Sequence, residues 1–232
     1  MLHQGICEKG ARPMIHVFLP VCLVMLALAT AARAETLIFD IALRGLNAGT
    51  ITLEASESGG SYAVEGQMES RGIVGALAPA RFEARSRGSW RKGRYVPAQY
   101  EESFSTAKRS GRATMDYEGG VPGEKRHDPP QDRDVDAPET IVDPATQGGT
   151  LDPLTGLFAA LRSVVPGEEC KLDLAIFDGA RLSRITTTGR REAEGRIQCT
   201  GTYRRVAGYS ARDMARETAF PFILTYGTDG PR

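Results

Sequence analysis

The residues able to carry out chemistry are few, and the cysteines come first. They lie at positions 7, 22, 170 and 199. No two of them have the Cys-x-x-Cys spacing of thiol redox and many zinc sites. The last two enclose the stretch "CKLDLAIFDGARLSRITTTGRREAEGRIQC". Whether they form a disulfide or a reactive site depends on the compartment in which the chain folds.

Nucleophilic catalysis finds little support in the sequence. Serine or cysteine nucleophiles need a histidine that accepts and returns a proton. His127 is the one histidine after residue 34, and no Gly-x-Ser-x-Gly turn occurs. The adjacent Glu101 and Glu102 fall on opposite faces of a predicted strand, so they do not form an acid/base pair for glycan hydrolysis. We expect no catalytic residues, and a cell-wall glycan hydrolase is the less favoured alternative.

A weak calcium pattern occurs in "DRDVDAPETIVD". Asp132, Asp134, Asp136 and Asp143 occupy positions 1, 3, 5 and 12 of a calcium-loop spacing. Position 6, where such a loop requires glycine, is Ala137, and Pro138 follows. We therefore expect no metal and no cofactor, with calcium at these four aspartates as the minor option.

The segment 14–34 has the features of a secretory signal. Its apolar run, 17–29, is too short for a stable membrane span, and Ala32-Arg33-Ala34 supplies small residues for a signal peptidase. We predict cleavage between Ala34 and Glu35 and a periplasmic mature protein, 35–232, that is not an integral membrane protein. Met14 as the true start, or an uncleaved anchor helix, are the alternatives.

Cleavage at this point changes the charge and the cysteine content. The removed segment holds three of the 29 basic residues and one of the 29 acidic residues, which leaves a net charge near −2. This balance argues against nucleic acid as a partner. Only Cys170 and Cys199 remain, and in an oxidising compartment two cysteines favour a disulfide.

Alternation of apolar and polar residues runs through most of the mature chain. Leu37, Phe39, Ile41 and Leu43 start the pattern, and turns rich in glycine separate its segments. About ten strands are predicted, enough that a sheet must curl or close. We predict a mainly β fold in a single domain: one strongly curved antiparallel sheet or partly open barrel. Asp178-Gly179 is predicted to form a hairpin turn.

Three segments interrupt the alternation. Residues 73–77 predict one or two helical turns that end before Pro79. In "LDPLTGLFAALRSVVPG", Asp152 is suited to the N-cap and Pro153 to the first turn. A stripe at helical spacing follows: Leu154, Leu157, Phe158 and Leu161. Residues 119–149 are polar and rich in proline, which predicts a flexible surface linker.

The order of these motifs resembles a family of exported bacterial proteins known as domain of unknown function 3108. The resemblance rests on Phe39, the turn 45–49, Tyr62, the segment 72–77 and Trp90, and later on "LDPLTGLFAALR", "IFDGARL" and "CTGTYRRVAGYS". It implies a curled sheet similar to periplasmic envelope-integrity proteins built as a spiral of strands. It implies no catalytic residues.

We therefore expect a non-enzymatic protein of cell-envelope maintenance. It would bind a lipid or peptide on the concave face of its sheet. The side chains predicted to face such a ligand are Tyr62, Phe82, Trp90, Tyr100, Leu154 and Phe158. The alternative is a scaffold whose sheet edge or apolar helix docks on another envelope protein.

Overall fold

The computed structural model describes residues 33–43, 46–130 and 142–227. The predicted signal peptide therefore lies outside the described residues, apart from its last two positions. The same applies to Asp132, Asp134 and Asp136 of the calcium pattern.

Most of the first half of the chain forms one antiparallel sheet. Seven strands follow one another in sequence order, and an eighth pairs with β6. The strands are β1 (Arg33–Leu43), β2 (Leu46–Ser58), β3 (Ser61–Ser70), β4 (Ala80–Arg91), β5 (Arg94–Thr106), β6 (Ser110–Glu118), β7 (Val121–Pro122) and β8 (Arg126–Asp128). Tight turns fix this register, which places residues such as Tyr62, Val64, Ala84 and Tyr100 on one buried face.

The second half of the chain forms a smaller antiparallel sheet. Its order is β12–β11–β10–β9, with β9 (Asp173–Phe177), β10 (Leu182–Ala193), β11 (Arg196–Ala207) and β12 (Ala219–Tyr226). The β9–β10 hairpin turns at Asp178, whose carboxylate accepts hydrogen bonds from the N–H groups of Ala180 and Arg181 at 2.9 and 2.7 Å. The predicted Asp-Gly turn is present, and Gly179 adopts a φ of +98°.

Three helices connect the strands: α1 (Gly72–Leu77), α2 (Pro153–Leu161) and α3 (Ala211–Arg216), with a short 3-10 helix at Pro144–Thr146. Helix α2 begins as its sequence predicts. The Asp152 carboxylate caps it by accepting the Thr155 N–H, and Pro153 occupies the first turn, where its missing N–H is tolerated. The helix ends at Leu161, and Arg162 after it has an extended backbone.

Helix α2 fills the inner face of the large sheet and also touches the small one. It contacts β3, β4 and β5 on one side and β9 on the other. Leu154 and Phe158 are buried in a core that also includes Tyr62, Tyr95 and Phe177. On β3, β4 and β5 the alternation therefore separates inner side chains, on the side that α2 contacts, from outer side chains that face water.

A disulfide joins Cys170, which precedes β9, to Cys199 on β11. This confirms the predicted bridge. By closing a loop across 29 residues of chain, it stabilises the fold by about 3–4 kcal/mol in the chain-entropy model.

The segment predicted as a linker is anchored at both described ends. β7 and β8 pair with β6, and Val142 is buried. The Lys125 ammonium lies 2.6 Å from the Glu102 carboxylate in a poorly exposed ion pair. Residues 119–130 and 142–149 thus belong to the folded domain. Periodicity did not predict this, because the contacts that hold these residues join positions distant in sequence.

The predicted fold class is confirmed: the protein is mainly β, with antiparallel strands that curl without closing. The strands divide between two sheets. The β9 edge is occupied by the segment before α2, because the Leu151 N–H donates to the Ala175 carbonyl and the Phe177 N–H donates to the Leu151 carbonyl, each at 2.9 Å. This contact places α2 between the sheets and ends the small sheet at β9.

The Gly179→Ala substitution is expected to lower the free energy of unfolding by about 2–3 kcal/mol. A Cβ atom there would meet the Cδ and Cβ atoms of Lys125 at 2.5 and 2.6 Å, on a backbone with positive φ. The matched control is Gly195→Ala, which has φ +69° with no atom within 4 Å of the new Cβ. Urea denaturation measures both. Equal losses would show that the Lys125 contact contributes nothing.

Candidate functional site

A buried polar cluster connects α2 to the large sheet. Its members are Tyr62 from β3, Ser86 from β4, and Asp152 and Thr155 at the start of α2, all with little or no solvent exposure. Tyr62 and Ser86 lie at inward positions of their strands, where the alternation places core residues. We call these four residues the α2 pin.

Short hydrogen bonds join the members of the α2 pin. The Ser86 and Thr155 hydroxyl groups lie 2.8 and 2.6 Å from Asp152 Oδ2, and 2.8 Å from each other. The Tyr62 hydroxyl lies 2.9 Å from Thr155 Oγ1. The other carboxylate oxygen, Oδ1, accepts the Thr155 N–H at 2.9 Å. The carboxyl group thus caps the helix and holds it to β4 at once.

The number of protons in the α2 pin bears on the charge of Asp152. Three hydroxyl groups supply three protons, whereas five oxygen–oxygen contacts involve them, because Ser86 Oγ also lies 3.3 Å from the Gln99 carbonyl oxygen. A protonated Asp152 carboxyl would supply a fourth proton to this network. Burial also raises the pKa of Asp152, against the opposing effect of its hydrogen bonds with Thr155 and Ser86. The shortage of protons and desolvation therefore both favour the protonated form of this carboxyl.

Tyr117 of β6 adds a hydroxyl group that has no partner in the described part of the chain. Its Oη atom is buried. Burial raises the pKa of Tyr117. Burial likewise raises the pKa of Tyr62 to about 12, so the phenols around Asp152 stay neutral at physiological pH. The cluster is a set of neutral hydrogen-bonding groups without an activated nucleophile.

The six side chains predicted to face a ligand lie in or beside this core. Tyr62, Tyr100, Leu154 and Phe158 are buried, and Phe82 and Trp90 are half-buried against the same cluster. The four strand residues lie on the inner face of the large sheet, and Leu154 and Phe158 belong to α2, which covers that face. A lipid or peptide there would have to displace the helix, so their contact with a ligand stays a prediction.

Trp90 lies at the end of α2 in a group of aromatic and charged side chains. The Arg162 guanidinium lies over the rings of Trp90 and Tyr95, at 5.3 and 5.8 Å from the ring centroids. Burial raises the pKa of Tyr95, whose hydroxyl donates to Glu57. The cavity beside this group has a volume of only about 10 Å³, which is space for one water molecule.

Larger hollows than this one lie on the opposite, outer face of the large sheet. Three adjoining hollows have volumes of about 280, 310 and 400 Å³. The first shares Glu65, Arg85 and Glu101 with the second, and Glu83, Ser103 and Arg112 with the third. Together they form a groove along β4, which we call the outer groove.

The outer groove is lined by charged side chains of both signs. Charged side chains occupy every second position of β4 over about 20 Å of strand. They are Arg81, Glu83, Arg85 and Arg87. Arg85 lies 3.4 Å from Glu65, and Arg81 lies 2.7 Å from Glu83. Within the described chain, Arg87 and Arg112 form no ion pair within 4.0 Å. The groove thus offers paired charges together with exposed guanidinium groups.

The remaining candidate residues are dispersed. Glu101 faces the outer groove, while Glu102 points inward and accepts the Tyr100 hydroxyl at 2.6 Å, as the predicted split across the strand requires. Asp143 caps the 3-10 helix by accepting the Ala145 N–H at 2.9 Å. Burial lowers the pKa of His127, which is on β8. Among the described residues, no cluster of three metal-ligating side chains occurs.

The α2 pin is the main feature that sequence analysis missed. Asp152 was interpreted as a cap alone, and Ser86 was given no role. The available signal was the inward position of Ser86, which follows Phe82 and Ala84 at intervals of two. A polar residue at a core position needs a partner, but its partner lies 66 residues away.

These features define a class of protein: a curled antiparallel sheet whose inner face is filled by one short helix, joined to a smaller disulfide-linked sheet. The chain belongs to the family described as protein of unknown function (DUF3108), whose model matches residues 38–206. The resemblance to this family is confirmed. No curated protein and no solved structure matches the chain significantly. None of the helices in the described ranges is long and apolar enough to cross a membrane.

Replacing Tyr117 by Phe is expected to raise the free energy of unfolding by about 1 kcal/mol, because it removes a buried hydroxyl without a partner. Tyr62→Phe removes a hydroxyl group that is hydrogen-bonded to Thr155. This change is expected to lower the free energy of unfolding by about 1 kcal/mol. Chemical denaturation of the two variants in parallel tests this contrast. A loss on Tyr117→Phe would mean that its hydroxyl has a partner.

The pH dependence of stability tests the neutral state of Asp152. Because its folded pKa is raised above the ordinary 3.8, its contribution is fully present below that value and decreases as the pH rises towards the folded pKa. The stability of the native protein relative to Asp152→Asn should therefore decrease from pH 4 to pH 8, measured by urea denaturation.

Asp173→Asn is the matched control, for which the stability is expected to change with pH in the opposite direction. Its hydrogen bond with Arg184 lowers the pKa of Asp173. The contribution of Asp173 is therefore present above the ordinary pKa and is lost as the pH falls through the folded one. Parallel trends for the two variants would contradict the neutral carboxyl.

Proposed function

We propose that this protein is a non-enzymatic scaffold of the bacterial cell envelope that binds an extended polypeptide segment in the outer groove. The single observation that carries this proposal is the distribution of space. Helix α2 fills the inner face, whereas the hollows of 280 to 400 Å³ lie on the outer face.

The chemistry of the outer groove favours a polypeptide over a lipid. An acyl chain needs an apolar lining, but the groove is lined mainly by arginine, glutamate, glutamine and small polar residues. Bidentate guanidinium groups recognise carboxylates, and the glutamates complement lysine or arginine side chains. A segment that carries both signs of charge fits this pattern.

An exported location supports the same proposal. The signal-like segment 14–34 and the Cys170–Cys199 disulfide both suit a periplasmic protein. The scaffold alternative is favoured over lipid binding on the inner face, since the aromatic side chains that would contact a lipid already pack on α2.

The arrangement of carboxyl groups supports glycan hydrolysis less than it supports a binding role. Glycan hydrolysis needs one carboxylic acid that stays protonated beside its substrate. Asp152 is the carboxyl with a raised pKa in the described structure, but it is buried beneath α2 and bonded to Ser86 and Thr155. We therefore propose a binding role for the outer groove and no hydrolytic one.

Site-specific photo-crosslinking in cells tests the proposed function. A photoreactive residue at Ser103, in the outer groove, should yield an adduct of one discrete mass. The same residue at Thr200, which is exposed on the small sheet, should not. Arg87→Glu and Arg112→Glu should each reduce the Ser103 adduct about tenfold, because each removes about 1.4 kcal/mol of binding, while thermal stability is retained.

Arg196→Glu is the control substitution, because Arg196 is exposed on β11 and lies outside the groove. If Ser103 gives no discrete adduct, or if Arg196→Glu reduces it equally, the groove is not the docking site. Adducts with a small lipid rather than a protein would contradict the binding of a polypeptide and would indicate a lipid carrier.

A further inference from the structure

The strand β12 forms one edge of the small sheet and differs from the other sheet edges. Its sequence, AFPFILTY, contains no charged residue. Ile223, near its centre, is 69% exposed. Natural proteins protect edge strands with charges, bulges or covering segments, because an open edge is a template for another strand.

The other long edges carry such protection. β1 includes Glu35 and Asp40 and has a bulge between Ile41 and Ala42. β9 is covered by Leu151, which exchanges backbone hydrogen bonds with it. In the described part of the chain β12 pairs with β11 alone.

The backbone pattern shows which groups of β12 point outward. The Arg205 N–H donates to the Thr218 carbonyl at 2.8 Å, and the same register pairs Tyr203 with Phe220. In antiparallel strands, hydrogen-bonded and non-bonded pairs alternate. The even positions of β12 therefore bond to β11, while Pro221, Ile223 and Thr225 direct their peptide groups away from the sheet.

This alternation gives Pro221 a consistent role. Proline has no N–H, so it suits a position that does not donate to the neighbouring strand. It removes one outward donor, but the N–H groups of Ile223 and Thr225 and the outward carbonyl groups are left for a new strand. The edge is open over its second half.

We propose that β12 pairs with β12 of a second copy of this chain, in antiparallel orientation, to form a continuous eight-stranded sheet across a two-fold axis. Two copies of a strand without charged residues can pair without electrostatic repulsion. A two-fold interface requires a strand that is complementary to itself in this way. The half-buried Phe220, Phe222 and Leu224 share one face, so pairing extends their apolar strip across the axis. This dimer is independent of the outer groove, which lies on the other sheet.

Sedimentation velocity of the mature chain, 35–232, tests the proposal. We expect a monomer–dimer equilibrium that shifts to dimer as concentration rises into the tens of micromolar. Ile223→Lys should weaken the dimer at least tenfold, because it places two ammonium groups at the axis. Ile38→Lys is the control: Ile38 is 68% exposed on the protected edge strand β1, and this change should leave the dimer intact.

Amide hydrogen exchange identifies the surface that pairs. The N–H groups of positions 223 and 225 should exchange slowly in the native dimer and rapidly in the Ile223→Lys variant, while those of Phe222 and Leu224 stay protected in both. A chain that is monomeric at all concentrations overturns the proposal. So does a dimer in which the Ile223 and Thr225 amides exchange rapidly, since it would use another surface. Protection by a different envelope protein, without self-association, would also refute the second copy as the occupant.

Discussion

The buried carboxyl of Asp152 is the interaction on which the rest of the structure depends. It ends the irregular segment before α2, caps the helix and accepts hydroxyl groups from two chain segments far apart in sequence. Such a group is tolerated in the core because its oxygens are hydrogen-bonded, while burial raises its pKa and so favours the uncharged form. With α2 held in this position, a helix of nine residues packs on the inner face of the large sheet.

The placement of α2 determines which surfaces remain for function. The aromatic face is used for stability, since Tyr62, Tyr95 and Phe158 pack together with ring centroids 4.9 to 5.8 Å apart. Recognition is left to the polar outer face and to the edges of the sheets. The proposed scaffold and the proposed dimer both follow from this division: one uses side chains of the large sheet, the other uses backbone groups of the small sheet.

Sequence analysis could predict what depends on local pattern. Alternation located the strands, Asp152 and Pro153 marked the start of α2, and Asp178-Gly179 marked a hairpin. It could not predict contacts between distant segments. Ser86 forms a hydrogen bond with Asp152, which lies 66 residues away in sequence. Lys125 forms an ion pair with Glu102, although Lys125 lies in a segment without apolar periodicity. The same limit explains why Tyr62, Phe82, Trp90 and Tyr100 could be assigned to one sheet face, whereas their individual contacts with residues of α2 could not.

The segment between β7 and α2 has a further consequence for how the chain tolerates change. Its ends meet, because the Gly149 N–H donates to the Gly120 carbonyl at 2.9 Å, and Lys125 and Val142 are anchored within the domain. Doubling the length of a loop with fixed ends costs only about 0.6 kcal/mol. Because the Gly120–Gly149 hydrogen bond closes the base of this segment, a change in the length of chain between these two glycines is expected to leave the pairing within each sheet in place.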